Sequence, residues 1–278
     1  MLLASLALFA IPSPTWAEDK PDEWRTRVVA DKPQVVFDPA KAYILVQTKG
    51  LQLPSFRRRP SEAEASAYAQ LRASELAKEH IKWEHKLAGW QRDVDALKNT
   101  PGASRSKRPT EPTDANFAFP TYEQSHSFEM GPQARFAKNG QSIYLHEVPP
   151  GEYVYFGERT ICACLGTVSF AAPAGKVVAV QIRFPWVEAY VGAPKDKRPK
   201  SQLDLPPGVS TLMLTASDYT DLRIPTGMLI AADFQPAGQF PNAGGGQVDR
   251  VMPMPGVFEY VRGKQIDLRT MPTPTSKP

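Results

Sequence analysis

The sequence predicts a mainly β fold, an antiparallel β-sandwich with one long inserted amphipathic helix, and three observations carry that reading. Proline accounts for 28 of 278 residues, about twice the ordinary share, a density that punctuates short strands and excludes an all-helical chain. Short runs rich in β-branched and aromatic residues recur between Asp-Pro and Pro-Gly turn signals. Between Ser61 and Lys98 both features vanish, and Ala, Glu, Lys, Leu and Gln take over. With 42% hydrophobic and 22% charged residues, the chain is neither a membrane bundle nor a disordered polyelectrolyte.

Residues 1–17 read as a signal peptide. Leu2 to Ile11 is an apolar run of the length of a signal h-region, Pro12 and Pro14 break it, and Thr15-Trp16-Ala17 places small residues at the −3 and −1 positions before Glu18. The run is shorter than the ~20 residues of a spanning helix. No Lys or Arg precedes it, and no cysteine stands at the cleavage site to take a lipid. The expected location is therefore exported, periplasmic or cell envelope.

Residues 18–60 are expected to form the first part of the sandwich, with strands at Gln34–Phe37 and Ala42–Gln47 separated by the turn signal Asp38-Pro39. Residues 61–115 are the helical insertion and its linker. Ser61 and Glu64 have capping-box spacing, and Asn99-Thr100-Pro101-Gly102 is a stop. Apolar or small residues recur at alternating steps of four and three, ending in Leu76, His80, Trp83, Leu87, Trp90, Val94 and Leu97. That is a coiled-coil-like seam. A helix from Ser61 to Lys98 would be about 57 Å long, too long to bury its stripe on one modest β core. It is expected to pair with another copy, meet a partner or break into two packed segments, with a surface helix folded back on its own domain as the plain alternative. Gly102 to Thr113 is polar, basic and proline-containing, and is expected to be the most mobile part.

Residues 116–269 complete the sandwich and add C-terminal strands. Expected strands are Ser142–Val148, Glu152–Phe156, Thr160–Ala171, Lys176–Phe184, Thr211–Thr215, Val257–Val261 and Gln265–Leu268. Pro149-Pro150-Gly151 suits a type II turn. Residues 242–246 read as a loop, and 270–278 as a disordered tail.

Val148 to Tyr155 (VPPGEYVY) and Thr167 to Val178 (TVSFAAPAGKVV) resemble exported bacterial transthyretin-like β-sandwich modules of the carboxypeptidase-regulatory-like, PEGA-like and lipoprotein-type groups. Pro39 to Val46 (PAKAYILV) looks like the first strand of the lipoprotein-type group. The resemblance covers about 80 residues in two pieces. It implies a sandwich in the cell envelope and no catalytic residue. The long helix and the missing anchor cysteine depart from it.

No G-x-S-x-G elbow, H-E-x-x-H, P-loop or Rossmann glycine set occurs. Cys162-Ala163-Cys164 is the sharpest chemical feature. In a strand the two share a face with Cα atoms about 6.6 Å apart, near the upper end of disulfide reach. A strained bridge and a packed pair are both open. So is a soft-metal site on Cys162 and Cys164 with His126 or His146 completing it. Asp218 and Asp221 form a candidate acid/base pair that also reads as loop capping. The basic clusters Arg57–Arg59, Arg105–Arg108 and Lys195–Lys200 read as solvated loop charge within a net charge of +4. No aromatic residues interleave to stack bases.

The function expected is a non-catalytic envelope binding or scaffold protein that needs no cofactor, with the helix seam contacting a second copy or an envelope protein. Peripheral membrane contact is open, and no nucleic-acid role is expected. A thiol- or soft-metal-handling protein and a hydrolase without a recognisable motif are the alternatives.

Overall fold

The computed structural model describes residues 25–48, 54–98, 100, 106–131, 135–137, 142–158, 168–183, 194, 196, 213–241, 247–248, 254, 257–261 and 264–270. The strands before the insertion are β1 (Arg27–Val28), β2 (Ala42–Thr48) and β3 (Pro54–Arg58). The helices are α1 (Glu62–Ala96) and the single turn α2 (Tyr122–Ser125). After them come β4 (Ser127–Glu129), β5 (Arg135–Ala137), β6 (Ser142–Val148), β7 (Gly151–Glu158), β8 (Val168–Ala172) and β9 (Val177–Arg183). The chain continues through β10 (Met213–Ala216), β11 (Leu229–Ala231) and β12 (Gln235–Pro236), then two pairs, β13 (Phe240–Pro241) with β14 (Gln247–Val248) and β15 (Phe258–Val261) with β16 (Lys264–Asp267).

Two sheets make the body. The first has the order β1-β6-β2-β9-β10, with β5 also on β6 and β11 also on β9; the second has the order β12-β8-β7-β3-β4. The fold is mainly β with one helical insertion, as the composition indicated. Most pairings are antiparallel, but β2 runs parallel to β9, and β11 parallel to β9. β2 precedes the helical insertion and β9 follows it, so no hairpin joins them and the long connection that a parallel pair requires is available.

β2 shows why the centre holds. All seven of its residues are buried, because successive side chains point to opposite faces and both faces are covered. Ile44 and Val46 enter the core between the sheets with Phe56, Tyr144, Tyr153, Tyr155, Phe170, Val178 and Val180. Tyr43 and Leu45 enter a second core with Phe136, Ile143, Leu145 and Val177 on the outer side of the first sheet. That outer core is roofed by Val29, Val35 and Phe37 from one segment and Tyr219, Met228 and Leu229 from another. Gln34–Phe37 is therefore not a strand, contrary to expectation. Pro33 lacks an amide donor, β1 already occupies the edge of β6, and Phe37 instead sets its ring edge-on to Tyr43 at 4.9 Å. The turn Pro173-Ala174-Gly175 ends with Gly175 at φ +69°, where a side chain is strained, and its N–H donates to Lys41 O at 2.7 Å.

His146 lies within the sandwich, 4% exposed, stacked on Phe128 at 5.5 Å between centroids. Both its ring nitrogens are sealed from solvent without a hydrogen-bond partner. Burial disfavours the imidazolium and pushes the pKa down from 6.5 to about 4. Between those values the unfolded chain binds the proton and the folded chain does not, so stability falls as pH falls through the window. The expected loss is about 3 kcal/mol. The substitution His146→Phe should raise stability at neutral pH and flatten the profile between pH 6.5 and 4. Urea unfolding of both proteins across that range checks it, and parallel profiles would contradict it.

Candidate functional site

α1 begins as its sequence dictates. The Ser61 hydroxyl accepts from the Glu64 backbone N–H, and the Glu64 carboxylate accepts from the Ser61 N–H at 2.9 Å, a complete capping box. The helix then runs 35 residues without a break and buries none of them. At that length it extends about 52 Å. The seam residues Leu76, His80, Trp83, Leu87, Trp90, Val94 and Leu97 are each half-buried, whereas Leu71 and Ile81 on other faces are 44% and 56% exposed.

The cover on the seam is the chain's own return segment, residues 106–121. Trp90 Nε1 donates to Ser106 O at 2.9 Å and Trp83 Nε1 to Pro109 O at 3.2 Å. Arg72 donates to the Asp114 carboxylate at 2.5 Å, and the Tyr68 hydroxyl to Pro120 O at 3.2 Å. Helix positions fall as strap positions rise, so the two run antiparallel. The strap keeps step with the seam: seven helical residues from Trp83 to Trp90 rise about 10 Å, and three extended residues from Ser106 to Pro109 cover about 9 Å. The stripe is thus shared with a strap of its own chain rather than with a second helical segment or the residues of the β core.

The arm is rooted on Arg58. The arginine triplet is not solvated loop charge: Arg57 and Arg58 belong to β3, and Arg57 is 9% exposed. A strand alternates its side chains, so Arg57 lies with its guanidinium 3.3 Å over the Phe156 ring, while Arg58 turns to the other face. Arg58 Nη1 donates to Glu64 Oε1 at 2.5 Å and to the Tyr122 hydroxyl, and Nη2 to Pro150 O at 3.0 Å. Burial would raise the Glu64 carboxyl, but hydrogen bonds from Arg58 and Ser61 outweigh it and hold the pKa at about 2. A Cβ on Gly151 would stand 2.9 Å from Arg58 Nε. That glycine is there for close approach and starts β7 at φ +155°, a more extended backbone than a type II turn places at that position. Tyr122 stacks on His126 at 3.8 Å, and Tyr68 packs edge-on against Tyr122 at 5.5 Å. Sequence reasoning missed Arg58, Tyr122 and the Arg58 partner role of Glu64; the one available signal was the Pro-flanked triplet directly before the capping serine.

Of the other sequence candidates, Cys162 and Cys164 lie outside the described residues. His126 is the C-cap of α2, and His146 is inside the core. Among the described residues no group of three or more His, Cys, Asp or Glu could hold a metal ion. Asp221 is not one half of an acid/base pair. It binds Arg223 through both oxygens, at 2.9 and 2.7 Å, and the hydrogen bonds of Arg223 hold its pKa at about 2. Arg223 also reaches Asp31 at 2.6 Å and lies over the Phe136 ring, pinning the roof of the outer core. Asp218 is exposed.

Comparison with known proteins gives no match, whether against protein-family models, curated proteins or solved structures. Among the described residues no helix is long and apolar enough to cross a membrane.

Breaking the root should cost more than deleting it. The variant Glu64→Leu leaves the Arg58 guanidinium, 12% exposed, without its counter-ion and should lose about 2–3 kcal/mol. The double variant Arg58→Met with Glu64→Leu lacks the same capping box but leaves no stranded charge, so it should lose measurably less. Chemical denaturation of the three proteins decides it, and a double variant no more stable than the single one would refute the assignment.

Proposed function

We propose that this is a non-catalytic binding or scaffold protein of the cell envelope, a transthyretin-like sandwich that presents a strapped helical arm to a second copy or to an envelope protein. The observation that carries the reading is a 35-residue helix with no buried residue, rooted at one end on the sandwich by a part-buried ion pair. Helices ordinarily earn their stability by packing an apolar stripe. Here the stripe is only half covered, and the rest of it, with Leu71 and Ile81, is surface that a partner would remove from water. Export rests on the pattern of residues 1–17.

The arm is tested by replacing residues 62–120 with a short Gly-Ser turn. The full chain should self-associate in sedimentation, or cross-link to a defined envelope protein, and the armless variant should do neither while keeping its β-rich circular dichroism. A monomeric full chain without cross-linked partners overturns the reading. Export is tested separately: intact-mass analysis of protein recovered from the envelope fraction should give a mature chain beginning at Glu18, and an unprocessed cytoplasmic protein would overturn it.

A further inference from the structure

The strap along the seam has two parts. Its lower part is tied down: Asp114 accepts from Arg72 through its carboxylate and its backbone O, Arg72 also lies over the Phe117 ring, and Phe119 packs 5.4 Å from the Tyr68 ring. The upper part, Ser106 to Pro112, has no regular secondary structure and no buried residue. Two indole bonds place it on the helix, from Trp90 Nε1 to Ser106 O and from Trp83 Nε1 to Pro109 O.

That upper part has the character of a ligand rather than of framework. Its sequence is SKRPTEP, with Pro109 and Pro112 in P-x-x-P spacing, and a polyproline II chain has three residues per turn. Positions 106, 109 and 112 therefore share one edge. The helix side of the strap follows that period: Pro109 and Pro112 are half-buried, whereas Lys107, Arg108, Thr110 and Glu111 are exposed. The seam repeats in step with it. Leu76, Trp83 and Trp90 lie seven apart, so the stride that takes Ser106 to Pro109 carries Pro112 to the level of Leu76. His80 stands edge-on to Trp83 at 5.8 Å and widens the aromatic side. An indole N–H only donates, and proline-bearing chain offers it accepting carbonyls with little conformational freedom to lose. Aromatic-lined surfaces recognise P-x-x-P segments on these terms.

We propose that the Leu76–Trp83–Trp90 face of α1 recognises an extended P-x-x-P segment of a partner protein, and that residues 106–112 occupy this face as a built-in competitor. The inference rests on the reading of the arm as a contact surface and names the kind of partner it takes. Because the strap belongs to the same chain, it competes at an effective concentration of order millimolar. A partner segment binds only as far as the upper strap lifts, and its apparent affinity falls with the fraction of arms whose seam is open. The lower strap stays on Arg72 and Tyr68, so the exchange leaves the root at Arg58 and Glu64 undisturbed.

The test uses the full chain and, as probe, the end-blocked peptide SKRPTEP, followed through the indole N–H signals of Trp83 and Trp90. A variant with Gly and Ser in place of residues 106–112 should bind the peptide saturably, with a dissociation constant of about 1 mM or below. The native chain should bind it at least about tenfold more weakly. Replacing both peptide prolines by alanine should weaken binding to the variant about fivefold or more, and adding Trp90→Phe to the variant should do the same by about fivefold. Where the variant's arm loses helix, the peptide should restore its helical circular dichroism. A variant that neither saturates nor regains helix, equal binding of the alanine peptide, or a native chain that binds as tightly as the variant would overturn the proposal. A full chain that is dimeric, and monomeric once residues 106–112 are replaced, would put a second copy's strap on the seam and overturn the assignment to a different protein. The titration is separate from the sedimentation test of the arm: an associating chain whose variant ignores the peptide loses this proposal alone, and a monomeric chain whose variant binds it loses only the earlier one.

Discussion

The arrangement of this protein depends on one guanidinium. Arg58 ends β3, and its hydrogen bonds reach the first turn of α1, the turn that carries Tyr122, and the connection between β6 and β7. Taking such a cation out of water costs several kcal/mol, and the acceptors around it offset that cost only together. Its backbone is held as well, since Arg58 N–H donates to His126 O at 3.0 Å. The direction in which the helix leaves the body is thereby tied to the sheet, and Gly151 must stay a glycine so that the side chain can pass over it. A long helix capped by Ser61 alone would be free to swing.

Past its root the helix faces a second physical problem. An isolated helix is marginal in water unless it packs something, and this one has no buried residue. Exposed pairs such as Glu75–Lys78 and Glu79–Lys82, at 2.6 and 2.5 Å, contribute little, because water and salt screen them. The strap contributes differently. It shields the seam tryptophans on one side and gives their indole N–H groups carbonyl partners, so that polar and apolar needs of the same side chains are met by one extended segment. Extended, proline-containing chain suits the task because its carbonyls are not committed to a ladder of its own.

The elements differ in how far they could be read from the residues alone. The helix was legible from Ser61 to its end because capping, periodicity and composition all agree there. β2 was legible as a strand from its unbroken apolar run, but not its parallel pairing with β9, since register and partner depend on residues far along the chain. The strap was not legible. A polar, proline-bearing stretch without periodicity reads as a linker, and much of what holds it is backbone carbonyls meeting Trp83 and Trp90, while the partners of Asp114 and Phe119 lie more than forty residues back on the helix. The arginine triplet misled for a general reason: charge runs are usually solvated, and only the alternation of a strand reveals that Arg57 and Arg58 face opposite ways.

The place of the insertion explains why a body and an arm of such different character coexist. β3 and β4 are antiparallel neighbours, with Phe56 opposite Phe128 and Arg57 opposite Ser127. The entire arm is therefore the loop of a hairpin, and its two ends start within one strand spacing, about 4.8 Å, of each other. Lengthening a loop costs entropy only as the logarithm of its length, a cost that the ion pair at the root and the strap along the seam offset. None of the buried core residues described falls between 62 and 121, so the sandwich does not rely on the arm for its hydrophobic stabilisation. Changes to the seam can then alter what the arm touches without loosening the sheets, whereas a change at Arg58 reaches both at once, because that residue belongs to the strand and to the root.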